Sequence, residues 1–423
     1  MSTLFHSTLS RKTRQDLKRR FLVHGLLIVV LLYLVFYRRA PAGQSPVKKV
    51  GTIISDTDKA VLADYHPTDI SVLGEHLRLF KKYHDMNHTN QTPEFYHFKG
   101  LLDEKLFNWI QPSYLSTIDF QNSFQGTGIV LCVYDAYAKL AVSTMQMIRK
   151  VHKCNIPFEV FYIGNGDLSE ENQKWAIKPF AMLASSFENA MLIDADVVFL
   201  QSPELLFSSK LYLENKALFY HDRSLFKAKQ ATLDWVRNIL PKPLAPNVNN
   251  LRIFNEKTAH EMESGVVLIN KKERFVGLLA VSILNGQIYR QQSYEHFHGD
   301  KETFWTAFEA VHESYAFSPH LPGITGVASQ SEGETEICGM QLLHLDETKT
   351  PMWINGGLAQ SKYDDDSPLV DLKDWMSEPG KWKLKPGNQA CLYNSEEPMK
   401  FSIELLDIIQ KSGELYLEIR KSY

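Results

Sequence analysis

Cysteine is scarce. Four in 423 residues, at positions 132, 154, 338 and 391, are too few for a disulfide-built scaffold, and no CxxC pair is present for a zinc or dithiol site. Cys132 falls inside a predicted strand as an apolar filler, while Cys338 and Cys391 could pair in an oxidising compartment. Net charge is scarce too. With 46 basic and 49 acidic residues the formal balance is -3, which gives no basic excess for holding nucleic acid. Internal repeats are missing, which excludes solenoids and propellers. Long apolar runs are missing with one exception near the N-terminus. The remainder, 44% hydrophobic and 22% charged, has ordinary globular composition and length enough for one large domain or two.

The exception is Phe21 to Tyr37, apolar apart from His24, preceded by Arg11, Lys12, Arg14, Lys18, Arg19 and Arg20 and closed by Arg38 and Arg39. Its length is at the lower limit for crossing a bilayer and suits a thin early secretory membrane. The heavier basic flank precedes the run, so residues 1–20 are expected in the cytosol and everything after Arg39 in the lumen. Phe36, Tyr37, Arg38 and Arg39 end the run where a signal peptide would place a small-x-small cleavage site, which favours an uncleaved type II anchor over a signal peptide. Residues 38–65, with Pro41, Gly43, Pro46 and Gly51, read as a stem. Residues 66–125 carry apolar positions at helical spacing (Ile70, Leu73, Leu77, Phe80, then Leu102, Leu106, Ile110). Two sequons there, at Asn87 and Asn90, are expected to carry glycans.

From Gly126 the pattern changes to strand, helix, strand, helix, strand: Ile129–Val133, Ala138–Val151, Phe158–Ile163, a helix through Ile177 and Leu183, then Met191-Leu192-Ile193. That alternation predicts an α/β fold whose ligands bind outside the strand carboxyl ends. Tyr134 and Asp135 stand at such an end, so they either meet a nucleotide base and ribose or, for Asp135, cap the next helix. Asp194 and Asp196 interrupt an otherwise apolar strand. Isolated buried carboxylates cost several kcal/mol each or more, so a pair here calls for a strong partner, most simply a divalent cation. Carboxylate oxygens suit Mg or Mn, which keep room for substrate phosphates. His344, ending the apolar Leu342-Leu343, is a candidate third ligand, and Lys349 a candidate diphosphate clamp. Lys178 lies where it could pair with an acid or the substrate, and Glu263 and Asp300 are acids whose loops could border the reacting sugar.

These blocks together, WAIKPFAMLASSF, MLIDADVVFLQSPELLF, ESGVVLINKK and HGDKETFW, resemble the fungal α-1,3-mannosyltransferase family, type II Golgi proteins of the DxD class, over roughly residues 126–357. The resemblance implies a nucleotide-diphosphate-sugar transferase fold, GT-A-like with a Rossmann-like mixed sheet, over residues 126–360, followed by an extension over 361–423. It also implies GDP-mannose as donor, Mn as metal, retention of the α configuration, a mannose-containing glycan acceptor, and association with other Golgi transferases. The stretch His344 to Trp353 resembles the H-x-x-G-x-x-K-P-W ending of glycogenin-like transferases, here without the glycine and with Thr350 between Lys349 and Pro351. Family members place a few dozen residues, including a strand and helix, between the stretches matching FYIGNGDLSEENQ and WAIKPF, whereas here Gln173 runs directly into Lys174 and Trp175. That shortening supports a second expectation, an impaired luminal partner subunit of a mannan-building complex. A third, a haloacid-dehalogenase phosphatase, fits Met191 to Val198 but lacks the later paired-acid motif.

Overall fold

A computed structural model describes residues 54–89, 91–110, 116–163, 171–245, 248–255, 257–331, 333–362, 364, 366–386, 389–394 and 397–422. The expected tail, anchor and most of the stem, with Asn90, lie outside the described residues. Among the described residues no helix is long and apolar enough to cross a membrane.

Among the described residues four helices lead into the main domain, and their starts follow from local side-chain chemistry. Ser55, Asp69, Thr92 and Ser116 each accept a hydrogen bond from a first-turn backbone N–H, and Ser116 with Asp119 forms a reciprocal capping box. The helix Ile70–His84 buries Leu73, Leu77, Phe80 and Tyr83 on one face. It packs against Pro93–Phe107, Gln230–Ile239 and Lys301–Val311. Asn87 follows it in an exposed turn, where its side-chain oxygen accepts from the Thr89 backbone N–H.

The central sheet has six strands in the order Phe158–Ile163, Thr127–Tyr134, Asn189–Ile193, Met262–Asn270, Ala217–His221, Ala316–Phe317. The first three run parallel. Met262–Asn270 runs antiparallel to both its neighbours, so the sheet is mixed. Alternate residues face opposite sides. Val130, Leu192, Val267 and Ile269 enter one core with the N-terminal helices, while Ile129, Leu131, Met191, Ile193, Val266 and Leu268 enter the other. Both faces are therefore covered, which is why the strands read as unbroken apolar runs.

A second six-stranded sheet, antiparallel throughout, runs Met399–Lys400, Asp374–Ser377, Gly323–Gly326, Leu342–Leu345, Pro351–Asn355, Val198–Phe199. The boundary expected at residue 360 thus runs through one sheet, because Asp374–Ser377 pairs with Gly323–Gly326. Asp194 and Asp196 are not in a strand. The chain leaves the central sheet at Ile193, turns through 194–197, and joins the second sheet at Val198. A smaller four-stranded sheet contains the disulfide Cys338–Cys391, which joins directly paired residues of neighbouring strands. Cys132 is half-buried against the core.

Gly74 marks the tightest helix crossing, since a Cβ there would stand 1.9 Å from the Ile239 carbonyl oxygen. A backbone atom cannot swing away as a side chain can. Gly74→Ala is expected to destabilise by about 2–3 kcal/mol, as overpacking does, read as a lowered urea midpoint at unchanged slope.

Candidate functional site

The mixed topology brings distant residues to one edge. Asp194 leaves the carboxyl end of Asn189–Ile193, and its backbone N–H donates to the Gly265 carbonyl at 2.9 Å. The antiparallel strand therefore begins, with Glu263, Ser264 and Gly265, where its parallel neighbours end. Tyr220 pairs with Glu263, so Asp222, just past Ala217–His221, reaches the same edge. The turn carrying Asp196 is pinned from behind by Thr144, whose hydroxyl donates to the carbonyls of Ala195 (2.7 Å) and Val197 (3.1 Å).

Charges alternate across this edge. Lys178, on the helix Glu171–Ala184, stands 2.6 Å from Asp194 and 3.9 Å from Asp300, and donates to the Ser264 hydroxyl at 3.3 Å. Burial alone would lower its pKa, but the carboxylates of Asp194 and Asp300 prevail and hold the ammonium well above its ordinary value. Lys301 pairs with Asp222 at 2.6 Å. Despite burial, Lys301 and Arg223 keep Asp222 well below the usual carboxylate range. Glu263 accepts from the Gly265 N–H at 2.9 Å and from Asn355 Nδ2 at 2.8 Å. Desolvation, with the Asp222 charge added, pushes it up to about 7. Asp300 opens the helix Lys301–Val311 without a side-chain capping bond, and its buried Oδ2 has no hydrogen-bond partner among the described residues. Burial raises it to about 6 against the pull of Lys178. Asp300 is therefore tied to the charge cluster rather than to its helix.

Asp196, nearly buried, accepts from Lys362 at 2.7 Å. Gly357 approaches the same acid, its N–H donating to the Asp196 carbonyl at 2.8 Å. Gly357 has φ +73°, and a Cβ there would come within 3.7 Å of the Asp196 Cβ. Tyr134 packs edge-on against Tyr137 at 4.4 Å, and Lys362 lies 5.6 Å from the Tyr137 ring, which carries the cluster toward the end of Thr127–Tyr134. Asp135 is exposed and accepts from the Tyr162 hydroxyl.

Two residues singled out in the sequence lie elsewhere. His344 is buried in the second sheet, stacked on Trp353 at 3.9 Å and edge-on to Tyr220 at 5.2 Å. Burial lowers it to about 3, so the ring is neutral. Among the described residues it does not join Asp194 and Asp196 in a group of three ligand atoms. The sole such group among the described residues is Glu336 with Cys338 and Cys391, whose sulfurs are bonded to each other. Lys349 sits at φ +67° in the hairpin between Leu342–Leu345 and Pro351–Asn355. Roughly 13 Å of strand separates that hairpin from Asn355 and the acids. The cation actually beside Asp196, Lys362, carried no sequence signal of its own; the Gly356-Gly357 pair before it was the available hint. Asp222 and Lys301 were visible only as a strand-end acid and a helix-start lysine.

A family model described as "Mannosyltransferase putative" matches residues 163–346, which include Asp194, Asp196, Glu263 and Asp300. Residues 163–346 are thus similar to this mannosyltransferase family. Among its relatives, the alpha-1,3-mannosyltransferase MNT3 of Saccharomyces cerevisiae is 24% identical over 294 residues, 61% of this chain and 44% of the relative. The alpha-1,3-mannosyltransferase MNT2 of the same yeast is 27% identical over 221 residues, 46% and 38% respectively. The chain spans less than half the length of these relatives. The crystal structure of the galactosyltransferase LgtC with donor and acceptor sugar analogs overlaps 45% of this chain and 73% of its own, at 12% identity and a TM-score of 0.29, a likeness that carries no argument about the site.

Because Glu263 is raised to about 7 from an ordinary 4.5, the folded chain keeps a proton that the unfolded chain loses. That contribution to stability is full below pH 4.5 and is lost as the pH rises through 7. Glu263→Gln keeps an acceptor for Gly265 and Asn355 while removing the titration. Thermal scans from pH 5 to 8 should show the melting temperature of the wild type falling more steeply than that of the variant; parallel curves would contradict this.

Proposed function

We propose that this chain is a retaining, metal-assisted glycosyltransferase that moves mannose from GDP-mannose to a mannose-containing glycan, forming an α-1,3 linkage. The observation that carries this reading is the convergence of Asp194, Asp196, Lys178, Asp300 and Glu263 at the carboxyl ends of the parallel strands. A sugar nucleotide loses a diphosphate, so the site must balance charge at the moment the glycosidic bond breaks. The family supports mannose as the group moved, and a GT-A-like arrangement accords with the mixed sheet.

The residues fit Mn or Mg as a shared ion rather than a caged one. Such ions are held by one or two carboxylates and complete their shells with water and phosphate oxygens. Asp194 and Asp196 offer that set, and the Asp194 side chain is 23% exposed, open to a ligand. The ion would supply charge to offset the departing diphosphate. Lys178 fixes Asp194 in place and keeps Asp300 beside it. Asp300, with one oxygen unengaged, is the carboxylate suited to face the sugar, whereas Glu263, held by Gly265 and Asn355, orients the strand start. Tyr134 and Asp135 would meet the base and ribose. The disulfide Cys338–Cys391 and the exposed Asn87 support a luminal site of action, in the Golgi behind a type II anchor. The phosphatase reading needs its motif on a first strand, whereas Asp194 follows the third strand of the central sheet in chain order.

Purified protein with GDP-mannose, Mn and a mannobiose acceptor should yield an α-1,3-linked trisaccharide. Asp196→Asn should lower transfer by about 100-fold or more, the scale of losing a principal electrostatic stabiliser, with folding retained by circular dichroism. Donor binding without any transfer by the wild type would instead favour the partner-subunit reading.

A further inference from the structure

Lys362 lies outside the stretch matched by the family model, at the start of what the sequence presented as an extension. It is not placed by chance contact with Asp196. After Gly356 and Gly357, at φ +104° and +73°, the chain doubles back: Val370 N–H donates to Leu358 O at 2.8 Å, Ala359 bridges Leu369, and Gln360 N–H donates to Pro368 O at 2.9 Å. Ser361 N–H donates to the Ser367 hydroxyl at 2.8 Å. Arg420 of the C-terminal helix Ile403–Ser422 then closes the far side, donating to the carbonyls of Ser367 (2.7 Å) and Asp364 (3.1 Å). The same helix packs on Ala138–Lys150, whose Thr144 holds the Asp196 turn. One helix thus braces both partners of the Lys362–Asp196 pair.

We propose that Lys362 is a phosphate-binding residue of the donor site, delivered by the C-terminal helix, and that Asp196 holds its ammonium in position until a nucleoside diphosphate arrives. The proposal rests on the donor-site reading above. Its physical basis is charge. Lys178 and Lys362 together cancel the two charges of Asp194 and Asp196, so a divalent ion alone meets a nearly neutral site. A diphosphate entering with the ion brings negative charge of its own. Lys362, 22% exposed on a four-carbon stem, can then turn from Asp196 to phosphate oxygens and free the acid for the ion. This makes Lys362 a competitor of the ion in the empty site and an ally of the nucleotide in the loaded one.

Those two roles give opposite signs in one set of titrations on the full chain. Lys362→Met, which keeps the stem and removes the charge, should bind Mn alone about tenfold more tightly, as loss of a competing ion pair worth about 1.4 kcal/mol would give. The same variant should bind GDP in the presence of Mn at least about tenfold more weakly, and Lys362→Arg should retain most of the GDP affinity. Arg420→Met, remote from the acids, should weaken GDP binding in part and leave Mn binding alone shifted in the same direction as Lys362→Met. Unchanged GDP affinity in Lys362→Met, or weaker binding of Mn alone, would overturn the proposal. GDP binding that depends on Lys362 in a protein that transfers no mannose would contradict the proposed reaction and leave the role of Lys362 standing. A wild type with no affinity for GDP would contradict both.

Discussion

The arrangement depends on one ammonium held among acids. Lys178 comes from a helix, Asp194 from the turn after a central strand, Ser264 from the start of an antiparallel strand, and Asp300 from the start of a helix 122 positions further along. None of these carboxylates would tolerate its surroundings alone, and removing one member of a buried ion pair costs about 3–5 kcal/mol. The charge on Lys178 therefore fixes four chain segments against one another. With Lys362 on Asp196, it also explains how two acids can follow a strand whose last four residues are buried.

Topology converts that local balance into a site. Were Met262–Asn270 parallel to Asn189–Ile193, Glu263 and Ser264 would lie at the opposite end of the sheet from Asp194. The antiparallel crossing places their backbone atoms in direct contact instead, Asp194 N–H to Gly265 O. The two lysine–aspartate pairs that follow, Lys301–Asp222 and Lys362–Asp196, extend the alternation outward. The result is an edge rich in ionised groups yet close to neutral overall, which suits a ligand that arrives and leaves with its own charge.

The α/β fold and its leading strands were legible because both faces of the sheet's centre are covered: Thr127–Tyr134 and Asn189–Ile193 announce themselves as apolar runs, and the edge strand Phe158–Ile163 as a run broken by Glu159. What the pattern could not carry was direction. The run Val266–Ile269 reads the same in either sense, so the placement of Glu263 was a matter of three-dimensional pairing. The strand expected through Asp194 and Asp196 is a turn between two sheets, and apolar residues on both sides concealed the change of sheet. His344 and Lys349 were singled out by their order in a motif, whereas a hairpin with Trp353 turns the first into the core and the second to the far end. Lys362 was invisible because its position depends on Arg420, nearly sixty residues later.

The central claim, that this edge receives the diphosphate of a sugar nucleotide, is tested most directly by a crystal structure of the protein with GDP and Mn. The account predicts an ion about 2.1 Å from oxygens of Asp194 or Asp196 and of the β-phosphate, with the base lying along Tyr134 and Asp135. Nucleotide bound elsewhere, with Lys362 still closed on Asp196, would contradict it.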